Sequence, residues 1–135
     1  MRRIFLFSAI LICTGYSQVR WSLDGVRISV YGSCQQNAQC VSDMNYGAII
    51  AWMDNRNNTA AYDIYAQRID SSGNLLWQPE GVPICFDPWY LQENIVMCSD
   101  EAGGAIIAWQ DYRNSFEPDI YAQRIDGNGN CLWQF

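Results

Sequence analysis

The sequence contains no histidine and no lysine, and its eight arginines stand against fourteen Asp and Glu residues. Histidine is the commonest general base and metal ligand, so its absence excludes Ser/His/Asp and Cys/His catalysis within this chain. The net charge of −6 argues against nucleic-acid binding, because phosphate contacts require a clustered cationic face. We therefore predict no catalytic residues and no nucleic-acid partner.

Long hydrophobic runs are scarce as well. Two arginines precede an apolar run over residues 4–13, and Gly15 and Ser17 occupy the −3 and −1 positions before Gln18. This arrangement is typical of a secretory signal peptide. The run is about half the length of a membrane-spanning helix, although a retained anchor is the alternative. We predict a signal peptide over residues 1–17, no stable membrane span after its removal, and a secreted or cell-surface protein, with the periplasm as the alternative.

A duplication organises the rest of the chain. Residues 47–70 and 104–126 both begin with GAIIAW, continue with a variable residue and Asp, and end in DIYAQRID. The front halves lie 57 positions apart and the back halves 56. A repeat of this length is typical of stacked supersecondary units.

The units are predicted to consist of antiparallel strands. No window has apolar residues at helical spacing over three turns, and Gly, Asn, Asp and Ser interrupt the sequence at short intervals. In the second unit, strands are predicted over residues 94–99, 104–111 and 120–125 and from residue 131 onward. The AIIAW segment is apolar at successive positions, so both of its faces should be covered by other sheets, as in the blades of a β-propeller. An immunoglobulin-type sandwich needs about a hundred residues per domain and would not recur at this period.

The segment before the first full unit resembles the end of that unit. VRWSLDGVRISV aligns with LLWQPEGVPICF at the last quarter of the repeat. We therefore assign residues 18–31 to an N-terminal closing strand, residues 32–87 to the first blade repeat and residues 88–135 to the second, which is expected to be truncated. The predicted fold is all-β: an incomplete propeller of two four-stranded blades plus an orphan strand, as part of a longer protein.

The repeat pattern also carries a resemblance. The series SD, GGAIIAWQD, R, DIYAQRID, GN, LW and GVPIC resembles the tandem blade repeats of large secreted or cell-surface bacterial proteins, and it covers nearly all of the mature chain. The resemblance implies export and a propeller fold, and it implies no activity. The sequence differs from that family in having few copies and no C-terminal sorting domain.

Neither the cysteines nor a metal ion is expected to hold the repeat together. The cysteines beyond the predicted signal peptide do not recur at equivalent positions, although Cys34 with Cys40, or Cys85 with Cys98, are spaced for local disulfides. There is no CxxC motif to accompany the missing histidines. The alternation of Asp126 with two asparagines resembles a calcium loop, but the required glycine and the final glutamate are missing. We predict no metal site and no cofactor.

Residues that recur in both units are interpreted as structural, because both copies need them for packing or turns. The alternative is that the repeated Asp and Arg line a ligand-binding mouth. The set is Trp52, Asp54, Arg56, Trp77, Trp109, Asp111 and Trp133.

Ligand binding is assigned instead to residues in predicted connections, most of which do not recur. The set is Trp89, Tyr90, Tyr112, Arg113, Phe116 and Glu117. The predicted function is a secreted non-catalytic module that binds a carbohydrate or a protein at the cell surface. The alternatives are a fragment of a glycoside hydrolase and a structural spacer. The carboxylates that could serve such a hydrolase are Asp87, Glu93, Glu101 and Glu117.

The signal-peptide hypothesis predicts that the exported protein begins at Gln18. N-terminal sequencing of the exported chain should give Gln18, and Ser17→Phe should block processing because the −1 position requires a small residue. Ser8→Phe, within the apolar run, is the matched control and should be processed normally. Exported protein that still carries residues 1–17 would contradict the hypothesis.

Overall fold

The structure, a computed structural model, describes residues 23–29, 31–57, 61–87, 89–114 and 116–133. The predicted signal peptide over residues 1–17 lies outside the described residues. No helix long and apolar enough to cross a membrane occurs in the described ranges.

The described residues form seven strands and no helix, which confirms the all-β prediction. The first sheet has the order β1 (Gln35–Ser42), β2 (Ala48–Asp54), β3 (Asp63–Ile69) and β4 (Val82–Cys85). The second sheet has the order β5 (Gln92–Ser99), β6 (Ala105–Asp111) and β7 (Asp119–Ile125). All neighbours pair antiparallel, and both sheets are open meanders.

The two sheets repeat the same register. Trp52 pairs with Tyr65 in the first sheet, and Trp109 pairs with Tyr121 in the second. The paired rings are stacked in both, with centroids 6.5 and 6.3 Å apart. The single-residue difference between the copies therefore falls in the connection from β2 to β3 and from β6 to β7, and it leaves the strand pairing unchanged.

Two predicted strands at the ends of the array are not seen as such. Cys131 makes one bridge to Ile125, as Leu75 does to Ile69, and residues 132–133 are not in a strand. The described residues 23–29 of the predicted closing strand contain a turn and a bend but no strand pairing. Residues 131–132 lie beside β7 but make only that bridge and one backbone hydrogen bond, from the N–H of Leu132 to the carbonyl oxygen of Arg124 at 2.8 Å, which is too little pairing to define a strand.

The main core lies between the two sheets. The first sheet contributes Ile49, Ala51 and Met53 from β2, and the second contributes Ile107 and Trp109 from β6, all within one buried cluster. Side chains alternate across a strand, so the neighbouring residues of β6 lie on the opposite face of the second sheet. That face is only partly buried. The expectation that AIIAW is covered on both faces is therefore met only in part, because in β2 as in β6 three of its five residues are buried and two are partly buried.

A buried carboxylate holds the turn between the first two strands of each sheet. Oδ1 of Asp100 accepts hydrogen bonds from the backbone N–H groups of Ala102 and Gly104 at 2.8 and 2.7 Å. Its Oδ2 accepts from Nε of Arg124 on β7 at 2.9 Å. Asp43 does the same with Asn45, Gly47 and Arg68 in the first sheet. The repeated aspartate thus fixes the hairpin and ties it to the third strand.

The cysteines of the described residues are all free. Cys85 is buried, and the other four are exposed. The two local disulfides considered from the sequence do not form. The local contacts that fix the first turn of each sheet are instead the carboxylate bonds of Asp43 and Asp100.

Gly104 is predicted to be intolerant of a side chain. A Cβ atom there would collide with the carbonyl oxygen of Ile125 and lie 2.7 Å from Oδ2 of Asp100. We expect Gly104→Ala to lower the free energy of unfolding by about 1–3 kcal/mol in urea denaturation, because the packed strand ends must move apart. Gly32→Ala is the control, since nothing lies within 4 Å of its Cβ position. Equal stability of the two variants would contradict this account.

Candidate functional site

Two connections at one end of the second sheet enclose an open cavity of about 540 Å³. One connection runs from β4 to β5, and the other runs from β6 to β7. The lining residues are Trp89, Tyr90, Leu91, Tyr112, Arg113, Asn114 and Phe116. Five of the six predicted ligand residues therefore meet at one place, and Glu117 is not part of the lining.

The first connection is held by local hydrogen bonds. Oδ1 of Asp87 accepts from the backbone N–H of Trp89 at 3.1 Å, and the N–H of Asp87 donates to Asp63 on β3 at 3.0 Å. The side-chain amide of Gln92, at the start of β5, donates to the carbonyl oxygen of Tyr90 at 2.8 Å. The aromatic residues thus follow a short Asx turn anchored to the first sheet.

The second connection is tied to the first. The backbone N–H of Tyr112 donates to the carbonyl oxygen of Leu91 at 3.1 Å. The Tyr112 hydroxyl donates to Oε1 of Glu93 at 2.9 Å, and this hydrogen bond raises the pKa of Tyr112. These bonds join the two walls of the cavity through both backbone and side chain.

Large aromatic surfaces are open to solvent around the cavity. Trp89 is 81% exposed, Phe116 is fully exposed, and Tyr90 is about half exposed at 44%. Exposed aromatic side chains clustered in one concave place are uncommon on a soluble surface and are typical of binding sites.

The base of the cavity is an arginine in a fixed position. Arg113 donates from Nε to Oδ1 of Asp111 at 2.9 Å and from a terminal nitrogen to Oδ2 at 2.6 Å. Its guanidinium lies 4.1 Å from the ring centroid of Tyr121 and 3.1 Å from the sulfur of Cys85 in the first sheet. The hydrogen bond to Asp111 raises the pKa of Arg113 despite the opposing effect of burial. This charge is therefore neutralised within the protein, and the arginine bridges the two sheets.

The same pair is built into the first unit. Arg56 contacts Oδ2 of Asp54 at 2.6 Å and lies 3.8 Å from the ring centroid of Tyr65. Asp54 also accepts from Ser33 at 2.6 Å and from the indole of Trp52 at 3.1 Å. Both carboxylates are fully buried. The recurring Asp, Arg and Trp residues thus form a packed unit beneath the strand ends.

The remaining recurrent residues, Trp77 and Trp133, follow the third strand of each unit. The indole of Trp77 donates to the carbonyl oxygen of Gly127 in the second unit at 3.1 Å. Trp133 is 44% exposed, and its backbone N–H donates to Gln123 on β7 at 2.9 Å. Trp77 therefore lies between the two units, whereas Trp133 lies at the outer side of the second.

The apparent calcium loop is a turn. Oδ1 of Asp126 accepts from the backbone N–H groups of Asn128 and Asn130, both at 2.9 Å. Asp70 makes the same bonds in the first unit. Within the described residues, no group of three or more His, Cys, Asp or Glu is placed to hold a metal ion.

The acidic residues considered for glycoside hydrolysis are not part of the cavity lining; they are Asp87, Glu93, Glu101 and Glu117. Glu93 lies at the edge of the cavity, hydrogen-bonded to Tyr112. Glu101 lies in the turn between β5 and β6, at the opposite end of the strands. The arrangement suits binding of an apolar ring face flanked by hydrogen-bonding groups.

Sequence reasoning missed two lining residues. Asn114 follows the recurrent arginine and has a counterpart, Asn57, so it carries the signature of a structural residue. Its side-chain amide donates to Asp119 at 2.9 Å and to the Tyr121 hydroxyl at 2.8 Å, as Asn57 does to Asp63 and Tyr65. Leu91 is a single apolar residue in a connection, and no signal in the sequence distinguishes it.

Comparison of the chain with models of protein families, with curated proteins and with solved structures finds no match.

The buried Asp54 predicts a specific dependence of stability on pH. Burial alone raises the pKa of Asp54, but hydrogen bonds from Arg56, Ser33 and Trp52 outweigh it and lower the pKa from 3.8 to about 2. A carboxyl group with a lowered pKa stabilises the folded state above its unfolded pKa, and this contribution is lost as the pH falls through the folded value. The stability contributed by Asp54 should therefore disappear between about pH 4 and pH 2.

The test is urea denaturation of wild type and Asp54→Asn from pH 7 to pH 2. At pH 7 the variant should be about 3–5 kcal/mol less stable, because Arg56 loses its charged partner. The difference should narrow as the pH falls below 4. Asp24→Asn, on an exposed turn, is the control and should follow the wild type. A difference that stays constant down to pH 2 would refute this role of Asp54.

Proposed function

We propose that this chain is an exported, non-catalytic module that binds a neutral carbohydrate in the aromatic cavity of the second unit. The observation that carries the proposal is the meeting of Trp89, Tyr90 and Phe116, all exposed, around one cavity. Sugar rings have apolar C–H faces that pack on aromatic rings, while their hydroxyl groups need polar partners at the edge. Tyr112 and Asn114 also line the cavity. Their donors are bonded to Glu93, Asp119 and Tyr121, so their side-chain oxygens are the groups that accept from sugar hydroxyls.

The charge of the site and of the chain favours a neutral ligand. Arg113, the basic residue that lines the cavity, is paired with Asp111. The chain as a whole carries a net charge of −6, which repels acidic polymers. The proposed ligand class is therefore neutral polysaccharides. Acidic polysaccharides, which the net charge repels, are a suitable negative control for binding.

The same proposal includes the architecture and the location. Two adjacent antiparallel sheets with identical register and a shared core support neighbouring blades of a propeller. The repeat pattern supports membership of the secreted and cell-surface bacterial repeat proteins that it resembles. The basic start, short apolar run and small residues before Gln18 support export.

Affinity gel electrophoresis tests the proposal directly. The folded protein should be retarded in gels that contain one or more neutral polysaccharides from a panel of glucans, xylan, mannan and galactan. Trp89→Ala and Phe116→Ala should each weaken binding about tenfold in calorimetric titration, which corresponds to about 1.4 kcal/mol. Tyr46→Ala is the matched control, because this ring is 92% exposed in the turn at the other end of the first sheet.

Three results would overturn the proposal. The first is the absence of retardation by every carbohydrate tested. The second is retardation that Trp89→Ala and Phe116→Ala leave unchanged. The third is Trp89-dependent binding of a protein ligand together with no binding of any carbohydrate. That result would assign the cavity to a protein partner.

A further inference from the structure

The outer face of the second sheet, which points away from the first sheet, has a counterpart in the first sheet. The corresponding residues of the first sheet are buried. Ile64 on β3 is completely buried against the second sheet, whereas Ile120, at the same position of the identical octapeptide, is 72% exposed. Val96 on the same outer face is 63% exposed. Ala108 and Ala122 are partly exposed. Within the described residues nothing covers this apolar face.

The corresponding face of the first sheet is buried, and the residues around it show what kind of surface can pack on the open face. Ile49 and Ala51 of the first sheet belong to the same buried cluster as Ala105, Ile107 and Trp109 of the second sheet. Those three residues belong to the face of β6 that corresponds to Ala48, Ile50 and Trp52 of β2. The Ile50 and Trp52 face of a first sheet is therefore the natural complement of the open face.

A pair of hydrogen-bond donors accompanies the open face. In the first unit, Arg68 and the indole of Trp77 donate to one carbonyl oxygen of the second unit, that of Gly127, at 2.8 and 3.1 Å. Their copies are Arg124, held in the same way by Asp100, and Trp133. In the described part of the chain, the corresponding terminal nitrogen of Arg124 and the indole nitrogen of Trp133 have no acceptor.

The second sheet also has an open edge. β3 pairs on its outer side with β4, where Ala66 lies opposite Val82 and Ile64 lies opposite Cys85. In the described residues, β7 has no such strand: on its outer side the described backbone pairing is the bridge from Ile125 to Cys131 and the hydrogen bond from the N–H of Leu132 to the carbonyl oxygen of Arg124, both at one end of β7. An open edge of this kind is a template for a strand from another chain.

The chain itself carries a segment with the sequence of the missing strand. GVRIS at residues 25–29 matches GVPIC at residues 81–85, which contains β4. The glycine that begins each segment has the same positive φ angle, +80° at both Gly25 and Gly81. Ile28 lines a small open cavity of about 200 Å³ together with Ile50 and Trp52, on the face of the first sheet opposite the second sheet. The segment is thus held on the complementary face, away from β7.

We propose that the chain assembles head to tail with a second copy of itself. The first sheet of one copy packs on the open face of the second sheet of the other. In the same step, residues 25–29 of the incoming copy pair with β7 of the other copy and become the fourth strand of that sheet. The turn at residues 70–74 of the incoming copy corresponds to residues 126–130, and it accepts hydrogen bonds from Arg124 and Trp133 of the other copy. This interface is heterologous, and repetition closes a ring if the rotation allows it.

Disulfide trapping between two labelled populations tests the register of the added strand. The pairing of Ile64 with Cys85 places Ser29 of one copy opposite Ile120 of the other, and directly paired residues lie about 4.5–5.5 Å apart, within disulfide range. Ser29→Cys and Ile120→Cys are made separately in full chains whose exposed cysteines are replaced by serine. Each population carries a tag of different mass.

The mixed disulfide should form only when both populations are combined. No mixed disulfide under conditions that oxidise a control dithiol would overturn the proposal. A disulfide confined within single chains that carry both substitutions would also overturn it, because it would show closure by the chain's own segment.

Light scattering tests the assembly itself. Wild type at about 50 μM should have a mass of two or more copies, since a stable interface of this type holds at micromolar concentration. Ile120→Asp should reduce the mass to that of one copy while leaving the circular dichroism of the sheets unchanged. Tyr46→Asp is the control and should remain assembled. A wild type that is a single copy at this concentration would overturn the proposal, and if Ile120→Asp does not fold, the trapping experiment decides.

Discussion

Four buried carboxylates fix the ends of the central strands, β2 and β6. Each lies at one end of β2 or β6, each has a side chain that is at most 3% exposed, and each is paired with an arginine. The four are Asp43, Asp54, Asp100 and Asp111. For Asp54 and Arg56, whose side chains are 0% and 7% exposed, removing one partner costs about 3–5 kcal/mol, which is a large part of the roughly 5–15 kcal/mol that stabilises a small domain. The aspartates and arginines therefore recur because each sheet needs both.

The framework separates the residues that hold the sheets from those that can vary. The repeated tryptophans and tyrosines stack beneath the strand ends, and the arginines lie over the tyrosine rings. Apart from the repeated arginines and asparagines, the connections take no part in this packing, so we expect substitutions at their unrepeated residues to leave the pairing of the strands intact. Trp89 and Phe116 lie in such connections and have no counterpart in the first unit. A rigid sheet edge thus supports a cavity whose lining is free to differ between units.

Much of this arrangement could be predicted from the sequence. The alternation of apolar residues and the spacing of turns locate the strands, and the duplication indicates two sheets of equal register. The contrast between repeated and unrepeated residues leads to the cavity, because Trp89, Tyr112 and Phe116 lie in connections where the repeat does not require them. Arg113 belongs to both groups: it lines the cavity, and it is also the repeated partner of Asp111.

Other features depend on what lies opposite each residue in space, which one sequence does not state. Ile64 and Ile120 have identical neighbours in the chain, yet one is buried and the other exposed because only the first faces another sheet. Leu91 lines the cavity through the placement of its loop. The aspartates of the first turns, Asp43 and Asp100, resemble ordinary turn residues until their arginine partners on the third strand are seen.

The division between framework and variable connection is tested most directly by exchanging one connection. In this chimaera, residues 55–62 of the first unit replace residues 112–118. The exchange keeps the repeated arginine and asparagine but removes Tyr112 and Phe116. The measurement is carbohydrate affinity of this chimaera beside its free energy of unfolding. We predict that stability changes by no more than about 1 kcal/mol, because the strands and ion pairs are retained, and that carbohydrate binding is lost. A chimaera that binds carbohydrate as tightly as the wild type, or one that fails to fold, would contradict the account.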